Sequence, residues 1–419
     1  MKHSLLFCIS AFYIIIHTSC SHVPEQRFFP QEHLLTSERI PLDRPFRPDA
    51  MVLKDGFLIF SVNHSTIGIY SPVDYSFKYS LKNRQQPDDR SLFQIVGSSS
   101  PDLYVMNVSN NNEIKKYRID SIGQPILLQI SFIGSTGAMN RPYILHDSLI
   151  VYDEFIPDAS LKIHNLHTNT EALALPYGTT SFENRFFDKN MGGLYANDLC
   201  LVFAYKYQHR IDFYDWQFNL THSVNHQKSD PVINTWNDFH TMPDNTTYYG
   251  TSYMGRNYFY TLYRGVSSKV FRSDSVLVNK KFNSYVYGLT RDVLEVYDMS
   301  GQPVCRFHFN DVAPAVFVVD EEHNRLYGHR EAYPDSLLIY HLKGLSQNGK
   351  KYPDSSNPIL SSLPIFPISK VQEESVHFIA ISWQIDVAPT YLVRSAGLGG
   401  QYVFATEACN AYTAQVEVK

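Results

Sequence analysis

The sequence has few cysteines, and their spacing excludes two common uses of this residue. Cys8 and Cys20 belong to the N-terminal segment, which leaves Cys200, Cys305 and Cys409 in the rest of the chain. This odd and widely spaced set provides neither a disulfide framework nor the C-x-x-C spacing of a structural zinc site. Because Cys200 and Cys305 lie inside strand-like apolar runs, we predict that both are buried thiols.

Positive charge and tryptophan are also scarce. The 419 residues include 36 Lys and Arg against 41 Asp and Glu, which gives a formal net charge of −5. A chain of this charge has no broad basic surface, so we expect no nucleic-acid partner. Only 3 residues are Trp, whereas 29 are Tyr and 27 are Phe, a composition typical of β-strands. Since 44% of the residues are hydrophobic, the chain is predicted to be folded and globular.

No apolar run is long enough to cross a membrane as a helix, and the most hydrophobic run lies at the N-terminus. Residues 5–16 are mostly apolar, a length that suits the core of a signal peptide. Small residues then precede Cys20, as in the lipobox of bacterial lipoproteins, although His17 stands where that motif has an aliphatic residue. We therefore predict a lipoprotein signal peptide over residues 1–19, with lipid attached to Cys20. An ordinary secretory signal is the alternative.

A lipid on Cys20 would hold the protein to a membrane without a spanning helix. Residues 20–45 are polar and contain proline, and we predict that they form a tether. The predicted location is the bacterial cell envelope, with the lipid anchor in the outer membrane and the protein on its periplasmic or surface face.

Short alternating apolar runs, bounded by turn residues, recur over residues 46–345, where helical periodicity is scarce. One run recurs in similar form as Ile67–Tyr70, Ile114–Tyr117, Leu161–His164, Ile211–Tyr214, Leu294–Tyr297 and Leu338–Tyr340. A period of about 40–50 residues with short strands is typical of β-propeller blades. We predict an all-β fold, a β-propeller with six blades. The long interval between Tyr214 and Tyr297, in which Asn257–Tyr263 fills the space of a repeat, leaves seven blades open.

Part of this pattern resembles a known family. The segments Leu294–Val304, Val318–Tyr327 and Leu338–Leu342 resemble the closing blades of the TolB-like six-bladed β-propeller lipoproteins of Bacteroidetes. Tyr205–Tyr214 and Tyr260–Gly265 are also similar to that family. The resemblance covers residues 46–345 and implies a six-bladed propeller on a lipid anchor. It implies no catalytic residues.

Residues 346–419 differ from the repeats. They begin with a linker-like polar stretch and continue with strand candidates at 377–383, 390–394, 401–406 and 413–418. We predict a small C-terminal β-module, or an extension that packs back onto the propeller.

Two acidic segments resemble catalytic or metal sites but have simpler explanations. Asp320–Asn324 holds three carboxylates and an imidazole, yet it lies between two strand-like runs and is predicted to be a hairpin turn. Asp153 and Glu154 are neighbours on a predicted strand, so they face opposite sides and cannot form the acid pair of a glycosidase. The sequence also has no nucleophile elbow, phosphate-binding loop or H-E-x-x-H motif, and we predict no metal or cofactor site.

The candidate ligand contacts lie in two loop-like segments. Asn140, Arg141 and Tyr143 belong to a glycine-bearing segment, residues 134–143, which we predict to be a loop between two blades, and Asp238 and His240 belong to another segment. Connections between propeller blades converge on a central channel, where polar and aromatic side chains can meet a ligand. The leading hypothesis is a non-enzymatic module that binds a protein or glycan. A hydrolase or lyase acting on polysaccharide, with acids from separate blades, is the alternative, and a purely structural role in a surface complex is the third.

Overall fold

The fold is built from β-strands. The computed structural model describes residues 29–43, 48–62, 64, 66–82, 93–107, 113–133, 139–154, 160–176, 189–226, 231–234, 244–267, 269, 277–279, 284–286, 292–345, 391–394, 401–405 and 412–415. Every regular element in these residues is a strand, so the predicted all-β class is confirmed. No helix among them is long and apolar enough to cross a membrane.

Four groups of four antiparallel strands follow one another along the first half of the chain, and we call each group a unit. They follow two short strands, β1 (Glu32–Leu35) and β2 (Glu38–Pro41). Unit 1 consists of β3 (Pro48–Lys54), β4 (Phe57–Val62), β5 (Thr66–Tyr70) and β6 (Phe77–Lys82). Unit 2 consists of β7 (Phe93–Ser98), β8 (Leu103–Asn107), β9 (Glu113–Ile119) and β10 (Pro125–Phe132). Unit 3 consists of β11 (Met139–Leu145), β12 (Leu149–Glu154), β13 (Ser160–Asn165) and β14 (Thr170–Pro176). Unit 4 consists of β15 (Gly192–Ala196), β16 (Leu201–Tyr205), β17 (Arg210–Tyr214) and β18 (Leu220–Asn225).

The second half of the chain adds two further units, and each includes one of the N-terminal strands. Unit 5 contains β19 (Thr246–Met254), β20 (Tyr258–Ser267), β23 (Val293–Asp298) and β24 (Pro303–Phe309), with β1 parallel to β24. The short hairpin of β21 (Leu277–Asn279) and β22 (Ser284–Val286) separates β20 from β23 in the sequence. Unit 6 contains β25 (Val316–Asp320), β26 (Arg325–His329) and β27 (Ser336–His341), with β2 antiparallel to β27.

The units are arranged like the blades of a β-propeller, and this arrangement is shown for four of them. The first strands of successive units lie side by side in the order β3, β7, β11, β15, β19 and β25, and β25 contacts β3 again. Strands β7 and β11 also pair in parallel, which joins units 2 and 3 into one sheet. A cluster of buried apolar side chains lies between each pair of neighbouring units, including the last and the first. Strands with two apolar faces are stabilised by such packing on both sides.

The recurring apolar run identified in the sequence marks the same place in every unit. It lies on the third strand, which is β5, β9, β13, β17, β23 and β27 in turn. In the described residues of the long interval between Tyr214 and Tyr297, the strands that follow β18 are β19 and β20 of unit 5, the hairpin of β21 and β22, and the start of β23. Of the segment Asn257–Tyr263, residues Tyr258–Tyr263 belong to β20, the second strand of unit 5.

Part of the predicted tether over residues 20–45 lies in regular strands. Residues 32–41 form β1 and β2, which pair with strands far along the chain. The physical reason is twofold. The outer strands β24 and β27 offer backbone groups that need partners, and Phe29, Leu35 and Leu42 are buried in the core clusters.

Three other predictions concern the C-terminal segment and the cysteines. Strands β28 (Tyr391–Arg394), β29 (Gln401–Ala405) and β30 (Tyr412–Gln415) form a three-stranded antiparallel sheet and coincide with three of the four predicted strands. The fourth, residues 377–383, lies outside the described residues, as do Cys409, Cys20 and the predicted signal peptide over residues 1–19. Cys200 and Cys305 are buried free thiols, which confirms the prediction for this pair.

Candidate functional site

A cavity of about 370 Å³ lies where the first strands of the units meet. Strands β3, β7, β11, β15 and β19 supply most of its wall, and a few side chains come from second strands. In a β-propeller only the first strand of each twisted sheet lies near the central axis. A small space therefore remains between these strands. Polar side chains of the inner strands therefore face a shared space.

Arg141 enters this cavity from a distorted strand. The register of β11 against β12 shifts between Asn140 and Tyr143, and Arg141 has a positive φ of 44°. A bulge of this kind re-aims a side chain. The Arg141 guanidinium carbon lies 5.3 Å from the centre of the Tyr195 ring in unit 4. A Cβ atom on Gly193 would stand 2.5 Å from Arg141 Nη1, so this glycine leaves the space that the guanidinium occupies.

Asp153 is a deeply buried carboxylic acid in the same wall. It pairs with Asn140 across β12 and β11, and only 2% of its surface is exposed. Its Oδ1 atom has no hydrogen-bond partner among the described residues. Burial raises the pKa of Asp153 to about 7, although the positive charge of Arg141 acts in the opposite direction. Burial thus disfavours the charged form of the Asp153 carboxyl.

Asp49 provides a second buried carboxylate, from β3 of unit 1. Its Oδ2 atom accepts hydrogen bonds from the His64 backbone N at 2.8 Å and from Ser61 Oγ at 3.3 Å, and it lies 2.5 Å from His64 Nδ1. Only 4% of Asp49 is exposed. Its Oδ1 atom, like that of Asp153, has no partner within the described part of the chain. The cavity wall thus holds two buried carboxylate groups, each with one covered oxygen that has no donor among the described residues.

Two other polar side chains of the wall are committed to contacts between units. Lys54 Nζ donates to the carbonyl oxygens of Ser98 at 2.5 Å and Ser100 at 2.7 Å, and burial lowers its pKa to about 8. Tyr143 Oη donates to Asp198 Oδ1 at 2.9 Å, and burial raises the pKa of this phenol. The Lys54 contacts join units 1 and 2, and the Tyr143 contact joins units 3 and 4. Both fix the relative positions of the inner strands that form the cavity wall.

Arg264 adds a further basic group whose charge is already balanced. It lies on β20, and its Nε and Nη2 atoms donate to the two carboxylate oxygens of Asp292 at 3.0 and 3.3 Å. Both side chains are buried, with 8% and 1% exposed. A two-pronged pair of this kind fixes the guanidinium in one orientation. The wall consequently combines the Arg264–Asp292 ion pair with two buried carboxylate oxygens, on Asp49 and Asp153, that have no donor in the part of the chain that the structure describes.

The structure places three of the predicted ligand contacts together. Asn140, Arg141 and Tyr143 all line the cavity, whereas Asp238 and His240 lie outside the described residues. Sequence reasoning missed Asp49, Asp153, Lys54 and Gly193 as wall residues. In the sequence, Asp153 stands out only as a neighbour of Glu154, and the signal that could identify it is strand alternation, which turns the two side chains toward opposite faces.

The acidic segment Asp320–Asn324 forms the turn of the β25–β26 hairpin, as predicted. Within it, His323 Nδ1 lies 2.8 Å from Asp320 Oδ2. Among the described residues, no group of three or more His, Cys, Asp and Glu side chains could hold a metal ion. The sequence matches no protein-family model and no curated protein.

Proposed function

We propose that this protein is a lipid-anchored β-propeller of the bacterial cell envelope whose central cavity binds a ligand without transforming it. The observation that carries the binding proposal is the cavity of about 370 Å³ where the first strands of the units meet, with Arg141 in its wall. Residues of units 1 to 5 line this cavity, so one ligand can contact several units at once.

We further propose that the propeller has six blades, one for each unit. Three observations support this number. Apolar clusters separate every pair of neighbouring units, the inner strands return from β25 to β3, and β2 supplies the fourth strand of unit 6. Because β2 pairs with β27, an N-terminal strand and the last strand of unit 6 lie in the same sheet. The same number is implied by the resemblance to the TolB-like lipoproteins of Bacteroidetes.

An enzyme acting on polysaccharide, a hydrolase or a lyase, is the second candidate, and one observation favours it. The pKa of Asp153, about 7, suits a group that gives and takes a proton near neutral pH, and Arg141 is close enough to affect that pKa. Incubation of the purified protein with neutral and acidic polysaccharides tests this candidate. New reducing ends or unsaturated sugar products that disappear in Asp153→Asn would favour the enzyme over the binding module.

The lipid anchor is tested by fractionation of cells that express Cys20→Ser. We expect this variant to leave the membrane fraction for the soluble one, because the thiol that carries the lipid is gone. Cys8→Ser is the matched control, since it changes a cysteine in the apolar core of the same signal peptide, and it should remain in the membrane fraction. Membrane association of Cys20→Ser equal to that of the wild type would refute the lipoprotein assignment.

The binding role is tested by pull-down of the membrane-anchored protein and identification of what accompanies it. We expect one reproducible ligand or partner with the wild type and with Arg118→Ala, whose side chain is 62% exposed on β9. Arg141→Ala should lose it, because Arg141 lies in the cavity wall. If nothing reproducible is recovered, or if both variants behave alike, the binding proposal fails and the purely structural role becomes the better explanation.

A further inference from the structure

The outer strand of unit 2, β10, carries most of the apolar surface that the described residues expose. Six of the ten exposed large hydrophobic residues lie on this strand or in the turn before it, and each is between 42% and 70% exposed. They are Ile122, Ile126, Leu127, Leu128, Ile130 and Phe132, and we call them the β10 patch. The patch presents on the order of 500 Å² of apolar surface, a size that usually marks an interaction site.

The backbone of β10 is also an open edge of its sheet. This strand pairs with β9 on one side, and no other described strand pairs with it. By contrast, the outer strands β24 and β27 of units 5 and 6 are covered by β1 and β2. An open edge with apolar side chains is a template for the addition of another strand.

The other open outer strands carry residues that discourage such addition. β6 contains Lys78 and Lys82, β14 contains Glu171, and β18 is mostly polar. Charged side chains on an edge strand hinder its pairing with another chain. Residues 125–132 contain no Asp, Glu, Lys or Arg, so β10 lacks this protection.

The open edge determines what kind of partner fits the β10 patch. A lipid surface does not fit, because the backbone N–H and C=O groups of an open edge find no hydrogen-bond partners in hydrocarbon. The partner must therefore supply an extended strand, and that strand must be apolar and uncharged. β10 of a second copy meets both conditions. In an antiparallel pair of two β10 strands no like charges face each other, and apolar side chains meet apolar side chains.

We propose that β10 is a dimerisation edge, at which two copies of this chain pair antiparallel and join their units 2 into one continuous sheet. Two β10 patches together bury on the order of 1,000 Å², which reaches the size that a specific interface needs. Strand addition at an outer edge already occurs within the chain, where β1 pairs with β24. The proposal is independent of the proposed function, because the inner strands supply most of the cavity wall.

The test is the mass of the full-length protein in detergent, measured by light scattering at roughly 1–100 µM. We expect a dimer for the wild type. Leu127→Glu should raise the dissociation constant of the dimer at least about tenfold, because it places a charge in the apolar pairing edge. Leu220→Glu is the matched control and should remain a dimer. Both leucines are about half exposed on an outer strand, at 47% and 52%, and each lies opposite a tyrosine of the third strand, Tyr117 or Tyr214.

A second variant and a second measurement support this test. Ile130→Glu keeps it valid if Leu127→Glu does not fold, since the new carboxylate would lie opposite Lys115 of β9 within the same chain. Circular dichroism and the unfolding midpoint establish the folded state of each variant. Gln129→Cys places a thiol near the middle of β10, and copper phenanthroline should oxidise it to a disulfide-linked dimer in intact membranes. Thr221→Cys on β18 is its control and should stay uncross-linked.

Four results would overturn the dimerisation edge. They are a wild type that is monomeric over the whole concentration range, a dimer that both β10 variants leave unchanged, equal weakening of the dimer by Leu220→Glu, and absence of cross-linking in Gln129→Cys. None of these results bears on the pull-down with Arg141→Ala, so the dimer and the cavity can fail separately.

Discussion

Asp153 and Glu154 are neighbours with opposite environments, which shows how strand geometry assigns chemistry to single residues. Asp153 lies in the cavity wall, whereas Glu154 forms an ion pair with Lys162, which also pairs with Glu171 at 3.1 Å. Alternation along β12 predicts this separation from sequence alone. The sequence does not indicate which of the two acids faces the axis, because that depends on how unit 3 is turned within the ring.

The buried carboxyl of Asp153 makes the stability of the fold depend on pH. Its ordinary pKa is 3.8, and burial raises it to about 7 in the folded chain. Between these values the folded chain binds more protons than the unfolded chain, so stability falls as the pH rises from about 4 to 7. The free-energy cost of Asp153 ionisation is fully present above pH 7, where it amounts to roughly 4 kcal/mol.

We predict that Asp153→Asn, which cannot ionise, is more stable than the wild type at pH 8 by up to roughly 4 kcal/mol. The gain should shrink as the pH falls and vanish near pH 4, where the Asp153 carboxyl is protonated in both states. Urea unfolding of both proteins at pH 4.5, 6 and 8 measures the difference. A gain that is constant over this range would show that Asp153 does not ionise with a raised pKa.

A second prediction concerns the space that Gly193 leaves for Arg141. In Gly193→Ala the new Cβ would stand 2.5 Å from Arg141 Nη1 and 2.8 Å from its Cζ. Because the end of an arginine side chain can shift, we expect a loss of only about 1 kcal/mol in unfolding free energy. The displaced guanidinium should weaken binding of the cavity ligand at least fivefold in calorimetry.

Gly250→Ala is the matched control, since Gly250 also lies in the cavity wall, on β19. A Cβ there would have its nearest neighbour, the Leu262 carbonyl oxygen, at 3.8 Å, which is an ordinary contact. This variant should keep both its stability and its affinity. Equal affinities for the two alanine variants would contradict the positioning of Arg141 by Gly193.

At the scale of strands, local patterns were predictable and distant pairings were not. The run Leu294–Tyr297 is buried at all four positions, and this run and each of its equivalents lie on a third strand, as the period of the pattern indicates. By contrast, Glu38–Pro41 is short and polar, and nothing nearby in the sequence reveals that it pairs with β27. Closure of a ring joins residues about 300 positions apart, and such contacts leave no local periodicity.

The closing strands should contribute much of the stability of the fold. We predict that a chain beginning at residue 44 loses on the order of 5 kcal/mol of unfolding free energy, since it lacks the buried side chains of Phe29, Leu35 and Leu42. Removal of β1 and β2 also exposes the backbone edges of β24 and β27. Urea unfolding followed by tryptophan fluorescence measures the loss.

A chain beginning at residue 29 is the control for this truncation, because it keeps both strands. It should unfold at a higher urea concentration than the chain that begins at residue 44. Identical midpoints for the two truncated chains would mean that β1 and β2 do not hold the sheets together.

At the scale of the whole molecule, the sequence predicts the repeated four-stranded units. It does not predict which residues meet at the centre of the propeller. Asn140, Arg141 and Tyr143 could be proposed as cavity residues because the sequence places them at the junction of two repeats, and the structure places them on the inner strand β11. Asp49 lies about 100 positions away from Asp153, and only the order of the units around the axis brings both to one cavity. Ligand preference therefore depends on ring geometry, which local sequence patterns do not encode.

A crystal structure of the mature chain is the most direct test of the ring with a polar centre. We predict six four-stranded blades, with residues 38–41 completing the blade formed by β25, β26 and β27, and with Asp49, Arg141 and Asp153 around one central cavity. A seventh blade, a different partner for residues 38–41, or Arg141 and Asp153 facing bulk solvent would contradict it.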